Sequence, residues 1–335
     1  MHPDPGLFEP ASEEEKEQLV LTKASVSFLR DAMVRLRRNK LAMLCLCVII
    51  LIALIAFIAP MIYPYSYTKQ DVTAQYLGPF EYSQKEQARI DRGERIFPHI
   101  MGTDNLGRDY AIRVIYGTRI SLLVGLVAAI IVVLIGIIYG SISGYFGGRV
   151  DLIMMRIVDI IYSLPDVLIV ILLSVAIKDI VSQSKSSLVL RLGSGMISIF
   201  IVFGLLYWVS MARQVRGQIL SIKEQEFVLA ARASGAGARR IIFNHLVPNC
   251  ISVIIITAAM QIPSAIFTES FLSFMGLGVS IPMPSLGSLA NDARIGLVSY
   301  PYLLIFPALT IFLIVLSFNL LGNGLRDAFD PKLRN

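Results

Sequence analysis

The stretch EFVLAARASGAGARRIIFNHLVPN, residues 226–249, is a basic segment punctuated by Ala and Gly that lies between two long apolar runs. Residues 223–234 are good helix formers, and Gly235 and Gly237 interrupt the helix before ARRIIFNHLV resumes it. The pattern predicts a short helix, a sharp turn and a second helix that runs into the next apolar segment.

The first of these helices carries one large and several small side chains on one face: Phe227, Ala230, Ala231 and Ser234. Small side chains let another backbone approach closely, while the phenylalanine enters a pocket. Such a face indicates a docking element. An ordinary loop between two membrane spans is the alternative that these residues alone leave open.

The composition of the chain is typical of a polytopic membrane protein. Its 335 residues are 55% hydrophobic and 16% charged, and the mean hydropathy is +0.69. A helix needs about 20 apolar residues to cross the roughly 30 Å hydrocarbon core of a bilayer. Six runs of about this length predict an all-α membrane protein with six transmembrane helices: 41–63, 119–143, 152–177, 196–212, 247–275 and 300–322.

Six crossings place both termini on one side of the membrane. Segments rich in Lys and Arg are retained in the cytoplasm, and cytoplasmic termini put most of the 30 Lys and Arg residues there, including the block RLRRNK (35–40) before the first run. The net charge of +6 is spread over membrane-flanking loops, which indicates membrane retention rather than nucleic-acid binding.

The predicted spans divide the chain into parts. Apolar and basic residues alternate at helical spacing over 26–40, which predicts an amphipathic helix on the inner membrane face or a charged stem continuous with the first span. SQKEQARIDRGERI (83–96) predicts a solvated helix.

The predicted parts of the chain are a mobile cytoplasmic tail, 1–25; the amphipathic segment and first transmembrane helix, 26–63; an extracytoplasmic segment, 64–118; the transmembrane core, 119–322, with its cytoplasmic loop 213–247; and a cytoplasmic C-terminus, 323–335.

The motif GTDNLGRDYAIRVIYG (102–117) predicts a turn followed by a helix. Its glycines permit tight turns, and one of the residues Thr103, Asp104 and Asn105 is expected to cap the helix. Asp104 and Arg108 are four residues apart and can form a local ion pair. Further on, Asp151 is expected to cap the third transmembrane helix.

The sequence lacks the signatures of an enzyme. It has no Gly-Lys pair for a phosphate-binding loop, no HExxH, no GxSxG and only three His residues. No catalytic, cofactor-binding or metal-binding residue is therefore predicted on this chain, and any energy that it uses must come from a partner or from an ion gradient.

The 226–249 stretch resembles the EAA loop of ABC importer permeases, whose pattern is Glu-Ala-Ala, three residues, Gly, nine residues, then Ile-x-Leu-Pro. Four residues match at this spacing: Ala230, Ala231, Gly235 and Pro248. Three residues depart from it, with Leu229 in place of Glu, His245 in place of Ile and Val247 in place of Leu.

Other motifs extend the resemblance in order along the chain: RNKLAM (38–43), GTDNLGRD (102–109), YGTRISLLVG (116–125), GYFGGRVD (144–151) and SFLSFMGLG (270–278). Together they are similar to the C-type permease subunit of oligopeptide and dipeptide ABC importers. This resemblance implies a type I importer fold, with one extra N-terminal helix and a five-helix core, in a bacterial cell membrane.

The resemblance also implies partners: a second, B-type permease in a heterodimer, two cytoplasmic ATPases that carry ATP and Mg, and an extracytoplasmic peptide-binding lipoprotein. Residues 223–237 would be the coupling helix that docks in an ATPase cleft. The residues implied in coupling are Glu226, Phe227, Ala230, Ala231, Arg232, Gly235, Arg239 and Arg240. Peptides are the expected substrate, and dipeptides or nickel chelates are carried by similar permeases.

Ionisable and polar groups within the spans are candidates for the translocation path, because an unpaired one is costly in hydrocarbon. The candidates are Asp166, Gln261 and Glu269, and a structural hydrogen bond to a neighbouring helix is the alternative for each. Asp159 is instead expected to pair with Arg156, three residues away. Pro165, Pro263 and Pro307 are each expected to interrupt and kink a helix.

Two other classes of function compete with an ATP-driven importer. An ion-driven secondary transporter would show inverted repeats, and none is evident in this sequence. A membrane sensor would use 64–118 as its ligand domain, but that segment has few apolar residues from which to build a core.

Overall fold

The computed structural model describes residues 28–183, 189, 192–279 and 283–329. The predicted tail 1–25 therefore lies outside the described residues. Within the described ranges the elements are helical, and the β-contact there is an isolated bridge between Thr103 and Asp109. In chain order the helices are α1 (Phe28–Arg38), α2 (Lys40–Ile62), α3 (Gln84–Ile90), α4 (Tyr110–Phe146), α5 (Gly148–Ser163), α6 (Asp166–Ser182), α7 (Ser194–Leu206), α8 (Trp208–Ile222), α9 (Glu226–Ala233), α10 (Ala238–Ile241), α11 (Ile251–Phe274), α12 (Leu286–Asp292) and α13 (Tyr302–Phe329).

Five of the described segments are long and apolar enough to cross a membrane: α2, α4, the consecutive pair α7–α8, α11 and α13. The pair α5–α6 makes a sixth if it is counted as one broken span. The predicted all-α membrane architecture is confirmed, with five spans or, if the broken pair is counted, six, and α4 contacts α2, α7, α8 and α11.

The run 152–177 does not form the single span that its length predicts. α5 ends at Ser163, α6 begins at Asp166, and the two are bent by 94°. Leu164 and Pro165 between them are extended, because proline disfavours helical geometry at the preceding residue and has no N–H to donate. The other two prolines do not interrupt their helices as expected: Pro263 lies within α11 and Pro307 within α13.

The amphipathic segment packs on the chain itself. Ala32 and Leu36 of α1 are buried, and Leu36 joins a cluster with Leu321 and Ala328 of α13. Asn39 separates α1 from α2, because its side chain accepts a hydrogen bond from the N–H of Ala42 and caps the second helix. A stem continuous with the first span is therefore excluded.

A glycine seam joins α4 to α8. Gly136, Gly140 and Gly144 are one turn apart on α4, and a Cβ added at each would lie 2.5 Å from Met211, 2.5 Å from the carbonyl oxygen of Ala212 and 2.9 Å from Ile219, respectively. The two helices can approach this closely only because α4 has no side chain at these three positions. The seam fixes α8 against α4.

We expect Gly140→Ala to destabilise the protein, since its methyl group would overlap a backbone oxygen, and overpacking typically costs about 1–3 kcal/mol. Gly217→Ala in α8 is the matched control, because a Cβ there meets nothing within 4 Å and alanine favours a helix by about 1 kcal/mol over glycine. Thermal unfolding in detergent measures both. Equal unfolding temperatures for the two variants would contradict the seam.

The segment before α4 is held together by ion pairs. Asp104 contacts Arg108 at 2.7 Å, as predicted, and also pairs with the buried Arg113, which reaches Asp292 of α12. The expected cap is wrong: Asp109 caps α4 by accepting from the N–H of Ile112, whereas Asp104 closes the preceding turn by accepting from backbone N–H groups. Gly102 and Gly107 have positive φ, in agreement with the predicted turns.

A buried histidine links three parts of the same outer segment. His99 lies 2.7 Å from Asp109 at the start of α4 and 3.2 Å from Glu86 of α3, and its ring stacks on Tyr65. The helix predicted in 83–96 is present as α3, with Ser83 and Glu86 forming a capping box. Burial opposes the charge of His99, but the hydrogen bond to Asp109 and the charge of Glu86 outweigh it and raise the pKa of His99 above 6.5.

The raised pKa predicts a pH-dependent outer segment. Protonation of His99 stabilises the folded segment fully below the unfolded pKa, near 6.5, and this stabilisation is lost as the pH rises through the higher folded pKa. Protection of residues 63–109 from protease should therefore fall over that window, and His99→Gln should abolish the dependence. His245→Gln is the control and should retain it. An unchanged pH profile in His99→Gln would refute the assignment.

Candidate coupling surface and translocation path

The 226–249 stretch forms the predicted helix, turn and second helix. α9 ends at Ala233, and Gly235 follows with φ +79°, a conformation that side-chain-bearing residues rarely adopt. The N–H groups of Gly235 and Ala236 bond to the carbonyls of Arg232 and Ala231 and close the helix. α10 then begins at Ala238 and continues through a π-helical turn, Ile242–Leu246, toward α11.

The loop that precedes α9 is shorter than predicted. Residues 213–222, expected to begin the loop 213–247, continue α8 as far as Ile222. They stay helical because Val215, Ile219 and Ile222 are spaced to bury one face in the core. Only Lys223 to Gln225 separate α8 from α9.

α9 is anchored by its inward face. Val228 is fully buried and belongs to one apolar cluster with Ile222 of α8, Ile241 of α10 and Leu246. Ala231, predicted to contact a partner, is half-buried and packs against this same cluster. Part of its side chain therefore contributes to the anchor of α9, and its predicted contact with a partner stays a prediction.

The opposite face of α9 and the adjoining turn are exposed. The other seven residues predicted for coupling are exposed: Glu226, Phe227, Ala230, Arg232, Gly235, Arg239 and Arg240. Leu229, which replaces the motif's Glu, is 45% exposed, and Phe227 is 36% exposed. The exposed residues of α9 and the following turn therefore offer both apolar area and the positive charges of Arg232, Arg239 and Arg240.

Two ion-pair contacts join α5 to α8 near this surface. Arg216 binds Asp151 through two hydrogen bonds of 2.5 Å, and Arg213 binds Asp159 at 2.7 Å. Two expectations are therefore wrong. Asp151 does not cap α5, since its carboxylate is occupied by Arg216 and by the hydroxyl of Ser143, and Asp159 pairs across helices rather than with Arg156.

The three path candidates have different surroundings. Gln261 lines a cavity of about 180 Å³ with Ser264, Tyr162 and Tyr207, between the α5–α6 bend, the α7–α8 junction and α11. Asp166 begins α6, but its side chain lies outside what the structure describes.

Glu269 is fully buried. Its carboxylate accepts hydrogen bonds from Ser121 of α4 at 2.7 Å and from Ser273 and Ser270 at 2.7 and 3.3 Å. The geometry favours a structural role for Glu269, as a polar link between α4 and α11.

Comparison with known proteins identifies the architecture. The family model for the inner membrane component of binding-protein-dependent transport systems matches residues 134–335, and that for the N-terminal transmembrane domain of oligopeptide transport permease C matches 27–79. The chain belongs to the permeases of binding-protein-dependent transport systems. It is accordingly a multi-pass membrane protein with the type I permease fold and a subunit of a transport system.

Several characterised permeases are similar over almost their whole length. The oligopeptide transport system permease protein of Bacillus subtilis (strain 168) is 43% identical over 329 residues, which cover 98% of each chain. The dipeptide transport system permease protein of the same organism is 43% identical over 323 residues, 96% of this chain and 91% of the relative. The oligopeptide permease protein of Escherichia coli (strain K12) is 40% identical over 92% of each chain.

Sequence reasoning missed Arg213 and Arg216 as structural residues of this permease. Each was recognised only as a basic residue of the cytoplasmic loop, whereas both lie on α8 and reach acids of α5. The available signal was the helical spacing of the apolar residues Val215, Ile219 and Ile222, which extends α8 beyond 212.

The surroundings of Glu269 predict that Glu269→Gln leaves transport per assembled complex unchanged, because glutamine keeps the size and one acceptor. Glu269→Ala should instead lower the amount of assembled complex, since three serine hydroxyls lose their acceptor, at about 1–3 kcal/mol for an unsatisfied buried group. Uptake divided by the amount of purified complex measures both. A normally assembled Glu269→Gln complex without uptake would place Glu269 in the path.

Proposed function

We propose that this permease forms the translocation path of an ATP-driven oligopeptide importer together with a B-type permease, and that residues 223–237 couple it to cytoplasmic ATPases. The single observation that carries the coupling role is the two-sided burial of α9. Val228 is fully buried in the permease core, while Phe227, Leu229 and Ala230 on the same short helix are exposed. A helix built this way can bind a partner through its exposed face and pass its displacement to the permease core through its buried face.

The exposed face fits a cleft in an ATPase subunit. Phe227 and Leu229 supply apolar area, and Ala230 allows close backbone approach. Arg232, Arg239 and Arg240 are exposed nearby and suit an acidic rim. ATP and Mg would be bound by the two ATPase subunits, one of which would dock here.

The docking works as a coupling device only if the ATPase dimer changes shape with its nucleotide. A partner that bound both permease conformations equally would shift neither. Because α9 shares its apolar cluster with α8 and Leu246, displacement of α9 would be passed to α8 and to the segment that leads into α11.

We propose that both termini are cytoplasmic. Packing of Leu36 of α1 against Leu321 and Ala328 of α13 supports both ends of the chain lying on one side, and the Lys and Arg distribution favours the cytoplasm. The outer segment 64–118 then faces outward, where a peptide-binding lipoprotein would deliver substrate. Gln261, and Asp166 as a second candidate, would contribute to the path.

The oligopeptide substrate is supported by the names of relatives such as those from B. subtilis and E. coli. A dipeptide importer is the nearest alternative, since a dipeptide permease is equally similar; a nickel-chelate importer is a further one. Proteoliposomes that hold the permease pair and ATPases, supplied with the lipoprotein, test the proposal: labelled oligopeptide should enter only with ATP at the ATPase side. Uptake without ATP that an ionophore abolishes would refute it and favour an ion-driven transporter.

In this assay we expect Gly235→Arg to uncouple hydrolysis from uptake while the complex remains assembled. Arginine at φ +79° strains the turn between α9 and α10, so the element would no longer transmit ATPase closure. Gly237→Arg is the control, because it adds the same bulk and charge at φ −70°. We expect Gly235→Arg to retain ATPase activity but to show less than about a tenth of wild-type uptake, a loss of at least ~1.4 kcal/mol of coupling. Wild-type uptake by this variant would contradict the coupling assignment.

A further inference from the structure

The cavity that contains Gln261 has a neighbour along α11. A second cavity, of about 160 Å³, is lined by Val167, Phe267, Thr268 and Phe271. Both cavities border Val170 and Tyr207. The two cavities are therefore separated by a wall to which Tyr207 belongs.

The cavities follow one another along the span. Gln261 lies seven residues before Thr268 on α11, which is about 10 Å at 1.5 Å per residue, and Gln261 is nearer to the coupling surface in the chain. The lining also changes. Gln261, Ser264 and Ser210 give polar groups to the first cavity, whereas the second is apolar apart from Tyr207 and Thr268.

Tyr207 lies at the junction of α7 and α8. Its backbone there is helical, and its ring is edge-on to Phe203 at 4.7 Å between centroids. Its hydroxyl lies 3.0 Å from the hydroxyl of Thr268 and forms a hydrogen bond with it. This contact ties the α7–α8 junction to α11 at the wall between the cavities.

We propose that the Tyr207–Thr268 contact is a gate in the translocation path, which keeps the two cavities apart in this conformation and must separate for substrate to pass. The proposal rests on the proposed transport function. The bond joins two neutral hydroxyls, and each can donate or accept. The N–H and C=O groups of a passing peptide can therefore replace the lost partner, so that the opened gate leaves no polar group unpaired.

The chemistry distinguishes this contact from the other polar links of the span. Glu269 is surrounded by serine hydroxyls and borders neither cavity among the residues that line them. The Arg216–Asp151 pair is charged and bidentate, which makes it costly to separate. A hydrogen bond between two neutral hydroxyls is easier for a conformational change to break than a charged, bidentate pair.

Labelling of a cysteine at Gln261 tests the gate. Gln261→Cys is introduced after Cys45, Cys47 and Cys250 are replaced by Ala, and the full complex in proteoliposomes is treated with a membrane-impermeant maleimide from the side opposite the coupling surface. Labelling should be slow with the gate intact. Tyr207→Phe and Thr268→Val, which keep the shape but remove the bond, should each accelerate it at least several-fold.

Tyr139→Phe is the matched control. It removes a tyrosine hydroxyl that bonds α4 to α5, at 2.8 Å from the carbonyl oxygen of Met154, and Tyr139 lines neither cavity. Rates in both gate variants equal to that of Tyr139→Phe, or rapid labelling with the gate intact, would overturn the proposal. The labelling needs no substrate, so it is independent of transport. If the labelling pattern is as expected but ATP-dependent uptake is absent, the transport function is refuted and the closed Tyr207–Thr268 contact stands.

Discussion

The close approach of α4 and α8 is the constraint on which the rest of the structure depends. Lipid tails are as apolar as the helices, so burial of apolar surface does little to hold transmembrane helices together, and packing must do so instead. Gly136, Gly140 and Gly144 supply it because α4 places no side chain of its own in the contact, so that Met211, Ala212 and Ile219 of α8 lie directly against its backbone. Because α8 leads directly to α9, the glycine seam also sets where the coupling surface lies.

Polar contacts between helices add to this packing and specify which helices pair. The pairs of Arg213 with Asp159 and Arg216 with Asp151 hold α5 beside α8 near the coupling surface, and Glu269 ties α4 to α11 farther along. A buried polar group needs an internal partner, so the link made by Glu269 is specific for the pairing of α4 with α11. The helices of the core are thus joined at different depths by contacts of different strength.

The sequence was informative where local patterns decide the structure and misleading where distant neighbours do. Apolar run length predicted the spans, and Gly235 predicted the break after α9, since both depend on a few adjacent residues. The expected pairing of Asp159 with Arg156 failed because spacing within one helix says nothing of Arg213 on another. The cap expected from Asp151, and that expected from one of Thr103, Asp104 and Asn105, failed for a similar reason: the carboxylates of Asp151 and Asp104 are held by arginines more distant in the chain, Arg216 and Arg113.

α8 connects the two sites to which function is assigned. Its 15 residues span about 22 Å, from the junction at Tyr207 to the turn before α9, and its length is packed against α4. A short rigid helix of this kind cannot absorb a displacement at one end by bending, so it must pass the displacement to the other. Tyr207, which is helical, joins α7 to α8 immediately before Trp208. Movement of the anchored α9 would therefore reach Tyr207, where a neutral hydrogen bond contacts Thr268 of α11.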